Sequence, residues 1–232
     1  MIEHHLAVTR TARYYTVGGT VGEGNGAGED ANELRELWIV CHGYGQLAAR
    51  FLEAFEPLAA PWRRIVAPEG LSRFYLDRSR VGVNAEAEVG ATWMTREDRE
   101  HEIADQIVYL DALLDHLIPP ESSSHVRLRV LGFSQGVATV SRWLVRGRRV
   151  RPDEVVLWAG SVPTDVDVAD LAGRLAGAPV VFAVGTGDEL ASWAAADVEV
   201  GRFSAAGVDA RLVTFNGGHR LDTATLSDIA SR

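Results

Sequence analysis

Gly132-Phe133-Ser134-Gln135-Gly136 is the stretch from which the architecture of this chain follows. Before it, Val126-Arg127-Leu128-Arg129-Val130-Leu131 reads as a strand. After it, Val137, Val140, Trp143, Leu144 and Val145 recur at helical spacing. A G-x-S-x-G sequence between a strand and a helix makes a sharp turn that presents the serine hydroxyl at the edge of a sheet. Glycine is needed on both sides because a Cβ there would collide with backbone in so tight a turn. The pentapeptide alone is a moderate signal, and its flanks make it a strong one.

Working outward, the chain alternates strands and helices. Leu37–Cys41, Arg64–Pro68, Val155–Trp158, Val180–Val184 and Ala210–Phe215 are short apolar strand candidates, and Tyr14–Val17 is the clearest part of one or two strands expected between His5 and Val17. Leu47–Leu58 reads as helical. Thr95-x-x-Asp98 reads as a capping box opening a long helix through Ile103, Ile107, Leu110, Leu114 and Leu117, which Pro119-Pro120 stops. A further helix closes the chain. Repeated β-then-α units of this length imply a mostly parallel sheet with helices on both faces. The right-handed crossovers place the loops that follow the strands along one edge, where ligands bind. Gly18–Asn32, with six glycines, is expected to be a mobile loop, and its Gly22-x-Gly24-x-x-Ala27 a chance match to a dinucleotide fingerprint, since no helix follows. Glu69–Met94 has no clean periodicity.

Composition narrows the function classes. The 232 residues suit one domain spanning 1–232, and 47% hydrophobic with 24% charged residues is ordinary for a globular protein. A net charge of -9 argues against nucleic acid as a partner. All 23 basic residues are arginine, which reads as compositional bias. Cys41 is the only cysteine, so no intrachain disulfide is expected and a reducing compartment suffices. The start, Met1-Ile2-Glu3-His4-His5, lacks a basic segment followed by an apolar core, and no apolar run approaches the ~18 residues of a membrane helix. A cytoplasmic location without membrane insertion is the expectation. Arg142, Arg146, Arg148, Arg149 and Arg151 read as a solvated helix end. His101 and Asp105 sit one turn apart without an apparent third ligand, so no metal is expected.

The chemistry gathers at the strand ends. A serine hydroxyl becomes a nucleophile when an imidazole takes its proton, and a carboxylate must hold that imidazole in the right tautomer. With the chain order serine, acid, histidine, His219 is the base, being the only histidine after Ser134. Asp188 follows the Val180–Val184 strand, a position that Asp165, Asp167, Asp170 and Asp197 lack, and Glu189 is its nearest competitor. Taken singly, the serine would be a turn residue, the aspartate a helix cap and the histidine the start of a helix. All three in order at strand ends favour the catalytic reading. The oxyanion formed in acyl transfer needs preset donors. One is expected from the Gln135 N–H and another from His42-Gly43-Tyr44-Gly45-Gln46, with His42 in a structural role.

On these residues the chain resembles the carboxylesterase, phospholipase and acyl-protein thioesterase family of α/β-hydrolases over nearly its whole length. The matching segments are His42-Gly43-Tyr44-Gly45, Gly132-Phe133-Ser134-Gln135-Gly136, Gly187-Asp188-Glu189 and Gly218-His219. The resemblance implies an α/β-hydrolase fold without a large cap domain. It also implies Ser134 as nucleophile, His219 as base, Asp188 as orienter, and the Tyr44 and Gln135 amides as the oxyanion hole. Two segments depart from the family pattern, Asp188-Glu189-Leu190-Ala191-Ser192-Trp193 and Trp93-Met94-Thr95-Arg96-Glu97-Asp98, and both bear on substrate. The expected activity is hydrolysis of small-molecule carboxylic or thio-esters with short-to-medium acyl chains, without a cofactor. Acyl transfer and non-catalytic ligand binding are the alternatives. Trp93 and Met94 are expected to line an acyl cleft, or else to pack beneath the loop. Oligomeric state, a homodimer included, is left open by the sequence.

Overall fold

The computed structural model describes residues 1–19, 34–77, 87–119 and 126–232. The glycine-rich loop expected at 18–32 lies outside the described residues apart from Gly18 and Gly19, as do Arg78, Arg80, Val81 and Val83 of the 69–94 segment.

Seven strands form the main sheet: β1 (Tyr14–Gly18), β2 (Glu36–Cys41), β3 (Arg63–Pro68), β6 (Arg127–Phe133), β7 (Glu154–Trp158), β8 (Val180–Gly185) and β9 (Ala210–Phe215). Their order is β1-β3-β2-β6-β7-β8-β9, with β1 antiparallel to β3 and every other pair parallel. β4 (Ser72–Tyr75) and β5 (Val89–Thr92) make a separate antiparallel hairpin.

The central strands are apolar along their length because both faces are covered. On β2, Leu37, Ile39 and Cys41 face one layer, and Trp38 and Val40 face the other. The first layer contains α2 (Arg99–Leu117), α3 (Gln135–Arg146), α4 (Val168–Leu175) and α5 (Trp193–Ala205). The second contains α1 (Ala48–Leu52), a 3₁₀ turn at Glu53–Leu58 and α6 (Thr223–Ala230). The two-residue period of a strand therefore serves both layers at once. Among the described residues no inserted cap domain stands over the sheet.

Local structure departs from the sequence pattern in four places. Leu47–Leu58 is not one helix: α1 ends at Leu52 and the chain tightens to 3₁₀ through Pro57, whose ring cannot follow a helical carbonyl four residues back. Residues 1–13 have no regular structure, so only the Tyr14–Val17 portion of the early strand forms. Thr95 does not cap α2. The helix starts after Asp98, which is left-handed at φ 49 and makes no side-chain cap bond, while the Thr95 N–H donates to Glu102 Oε2 at 2.6 Å. Finally, the β4–β5 hairpin forms where no strand was expected. It is held close to the β2–α1 loop, since a Cβ on Gly90 would lie 2.4 Å from the Gly45 carbonyl oxygen.

Candidate active site

Ser134 sits between β6 and α3 at φ 53, ψ -115, a conformation that costs a non-glycine residue about 1–3 kcal/mol. The surroundings hold it there. Its N–H donates to the Trp158 carbonyl at 2.8 Å. A Cβ on Gly132 would lie 2.4 Å from the Gly136 oxygen, and one on Gly136 would lie 2.1 Å from the Cys41 oxygen. The glycine pair thus lets β6, the turn and the end of β2 approach at backbone contact.

His219 follows β9 and Asp188 follows β8, and the topology brings both to Ser134. His219 Nε2 lies 2.9 Å from Ser134 Oγ, and Nδ1 lies 2.9 and 3.1 Å from the two oxygens of Asp188. The Asp188 side chain is fully buried, and its Oδ1 also accepts the Leu190 and Ala191 N–H groups, both at 2.8 Å. Because a carboxylate only accepts, the network assigns the proton to Nδ1 and leaves Nε2 to accept from the serine hydroxyl. The Phe133 ring packs 5.0 Å from the imidazole. Glu189 is exposed. Asp165 is taken up by arginines: Arg142 and Arg99 hold its carboxyl far below the usual carboxylate range despite partial burial. Asp167 caps α4.

No family model matches the chain, and no curated protein matches it. Solved structures match in shape over nearly the whole chain. Acyl-protein thioesterase 2 from Zea mays aligns at 17% identity over 95% of this chain and 97% of its own, with a TM-score of 0.65. A carboxylesterase from Bacillus cereus aligns at 16% identity over 95% and 92%, also with a TM-score of 0.65. Esterase PE8 aligns at 20% identity over 95% and 96%, with a TM-score of 0.63. The fold is that of the α/β-hydrolases.

In this α/β-hydrolase sheet the β2–α1 loop packs directly on the elbow, since a Cβ on Gly43 would lie 3.2 Å from Ser134 Cβ. The Gly43 carbonyl accepts from His42 Nδ1 at 2.7 Å and from the Gln46 N–H at 3.3 Å. A trans peptide then turns the Tyr44 N–H to the opposite side. The Gln135 N–H lies in the first turn of α3, where amides have no intrahelical acceptor. His42 itself is fully buried, and its Nε2 accepts the Gly70 N–H at 3.0 Å. Burial lowers its pKa, so it is a neutral bracket for the loop.

The residues expected to line the acyl cleft separate. Trp93 is only 2% exposed, packs at a tilt with its ring centroid 5.0 Å from that of His42 and donates from Nε1 to the His42 carbonyl at 2.8 Å, so it packs beneath the loop and not at the cleft surface. Met94 is half-buried, with its sulfur 3.4 Å from Arg142 Nη1 and its carbonyl accepting from Gln135 Nε2 at 2.8 Å. The Gln135 side chain therefore ties α3 to the segment after β5. Apolar side chains are also exposed within the motif segments, at Tyr44, which the sequence reading used for its amide, and in the Asp188–Trp193 segment that departs from the family pattern. Tyr44 is 60% exposed and packs at a tilt against Phe74, ring centroids 5.2 Å apart, and Leu190 and Trp193, just past Asp188, are 80% and 52% exposed.

Cys41 is buried, which pushes its thiol pKa up and makes it inert. The arginines after α3 pair with acids: Arg148 with Asp111 and Asp115, and Arg149 with Asp115. No helix is long and apolar enough to cross a membrane among the described residues. The imidazole and carboxylate of the site are bonded to each other. Among the described residues, the only group of three metal-ligating side chains is His5, Asp98 and His101.

Proposed function

We propose that this protein is a serine hydrolase of the carboxylesterase, phospholipase and acyl-protein thioesterase family, cleaving carboxylic or thio-esters through an acyl-enzyme on Ser134. The observation that carries the reading is the run of short contacts from Asp188 through His219 to Ser134, 2.9 Å at each step. Ser134 Oγ attacks the ester carbonyl while Nε2 takes its proton, and Asp188 stabilises the imidazolium that forms. The Tyr44 and Gln135 amides receive the oxyanion. His219 then protonates the leaving alcohol or thiol as the C–O or C–S bond breaks. Water, deprotonated by the same imidazole, releases the acid and restores the serine.

Nucleophile, base and oxyanion donors all come from the chain, so the reading calls for no cofactor, and residues 1–232 act as one domain. The exposed apolar surfaces of Tyr44, Leu190 and Trp193 suit an acyl group or apolar leaving group better than a charged one. With no cap domain among the described residues, the enzyme takes soluble short-to-medium acyl esters without interfacial activation. The single buried cysteine suits a cytoplasmic setting.

The test is a rate series of nitrophenyl esters from acetate to palmitate, with thioesters and lysophospholipids alongside and product analysis for transfer to added alcohols. Turnover that peaks at short-to-medium chains, releases free acid and falls about 10⁶-fold in Ser134→Ala is expected. A sharp rise on crossing the solubility limit, or preference for palmitate, contradicts the substrate reading. Acyl transfer outrunning hydrolysis makes the enzyme a transferase, and no turnover of any ester favours a ligand-binding role.

A further inference from the structure

We propose that His5, Asp98 and His101 bind a divalent transition metal of the zinc class, which fastens the N-terminal arm to the start of α2. The sequence pairs His101 with Asp105. The structure instead brings Asp98 Oδ1 to 2.6 Å from His101 Nδ1 and 3.3 Å from His5 Nε2. The three donor atoms lie within 4.8 Å of one another. Glu3 Oε1 lies 3.2 Å from His5 Nε2 but outside this group of three, so a water would complete four-coordination as at other three-ligand zinc sites. Two imidazoles with a carboxylate oxygen are a donor set that zinc, nickel and copper favour over magnesium or calcium. Four-coordinate zinc, with bonds of about 2.0–2.2 Å, separates its ligand atoms by roughly 3.3–3.5 Å; the 3.3 Å from His5 to Asp98 already matches, and the 2.6 Å hydrogen bond from His101 to Asp98 has to open as the ion takes the place of its proton.

Asp98 stands just before α2 and His101 lies in its first turn, while Glu3 and His5 arrive from an arm with no regular structure. The imidazole rings stack with centroids 3.9 Å apart at 25°. Convergence of both nitrogens on one ion takes a rotation of the His5 ring out of this stack, toward the solvent to which its side chain is 42% exposed. The same exposure opens the site to ions from solvent. The competing arrangement is a metal-free clasp of two histidines on one carboxylate.

Calorimetric titration of the chelator-stripped full chain with Zn²⁺, and the visible spectrum with Co²⁺, distinguish the two. One equivalent should bind, with the absorption of four-coordinate cobalt and a rise in Tm. His101→Ala should weaken binding at least about 10-fold, given that even groups behind the ligands commonly cost that much. Asp98→Asn should do the same, since asparagine keeps the left-handed backbone. His4→Ala and His116→Ala should leave binding unchanged, with circular dichroism showing each variant folded. Absence of saturable binding below millimolar Zn²⁺, or binding that survives both His5→Ala and His101→Ala, overturns the proposal and leaves the clasp alone.

Discussion

The two ends of β6 treat polar groups in opposite ways. Near its start, Arg129 is 1% exposed and lies between two carboxylates, 2.7 Å from Glu36 and 3.0 Å from Glu154. Arg63 donates to the same Glu36. The two guanidiniums reach the end of α6, Arg129 to the Ile229 carbonyl at 3.1 Å and Arg63 to the Ala230 carbonyl at 3.2 Å. Burial lowers the Arg129 pKa, opposed by the pull of Glu154 and Glu36, and a guanidinium keeps its proton regardless. Past the other end of β6, the hydrogen-bond relay starts at a buried carboxylate and ends at a half-buried hydroxyl. A network whose charges are all enclosed fixes structure. A relay with one end open to solvent has somewhere to pass a proton.

That contrast predicts a division of effects, and the largest should fall at the open end. Asp188→Asn should keep the fold and lose about 10⁴-fold in kcat by the wrong-tautomer argument, equivalent to roughly 5 kcal/mol of barrier. Glu189→Gln should change kcat only a few-fold. Steady-state rates alongside thermal melts check both, and equal losses would mean that the acid is misassigned.

At the closed end the ranking should reverse. Arg129→Ala leaves Glu36 and Glu154 buried with too little positive charge and should cost about 3–5 kcal/mol of stability in a urea melt. The remaining folded enzyme should keep its kcat. A collapse of kcat with unchanged stability would erase the distinction between the two ends.

The smallest effect is expected at a third polar centre, Asp165, which draws Arg99 and Arg142 together with Arg146. Its carboxyl pKa is depressed, mainly by the Arg142 hydrogen bond. The stability it adds is therefore complete above the ordinary aspartate range, ~3.9, and is lost as pH falls below that toward the depressed value. Asp165→Asn should lower Tm at neutral pH by about 2–4 °C, as for loss of roughly 1 kcal/mol. It should also flatten the acid limb of a Tm-against-pH curve. An unchanged acid limb would mean that the arginines find other partners.

Sequence reading reached the open end of β6 more easily than the closed one, for a physical reason. Gly132 and Gly136 are dictated by local backbone contacts, and the strands around them are buried on both faces, so a short motif and an apolar run suffice to see them. Arg129, in contrast, stands in an alternating Arg-Leu-Arg-Val stretch that looks the same whether its arginines face water or a buried acid; Arg127 is 40% exposed and Arg129 1%. The β4–β5 hairpin was hidden similarly, because Gly90 is required by the Gly45 backbone 45 positions earlier and not by any neighbour in sequence. The Gln135 side chain was read through its amide alone, while its oxygen in fact accepts from the Thr92 hydroxyl at 3.1 Å and the Trp93 N–H at 3.2 Å. Thr95 failed as a cap because the chain turns left-handed at Asp98 before α2 begins, and the Thr95 hydroxyl accepts the Glu97 N–H outside the helix.

The most direct test of the central claim is labelling with a fluorophosphonate probe, followed by intact-mass measurement and peptide mapping. Only an activated hydroxyl attacks such a phosphorus centre readily. The account predicts one adduct, on Ser134, formed far more slowly in Asp188→Asn and absent from His219→Ala over the same period. An adduct on another residue, equal labelling when His219 is removed, or no labelling of the folded protein would contradict it.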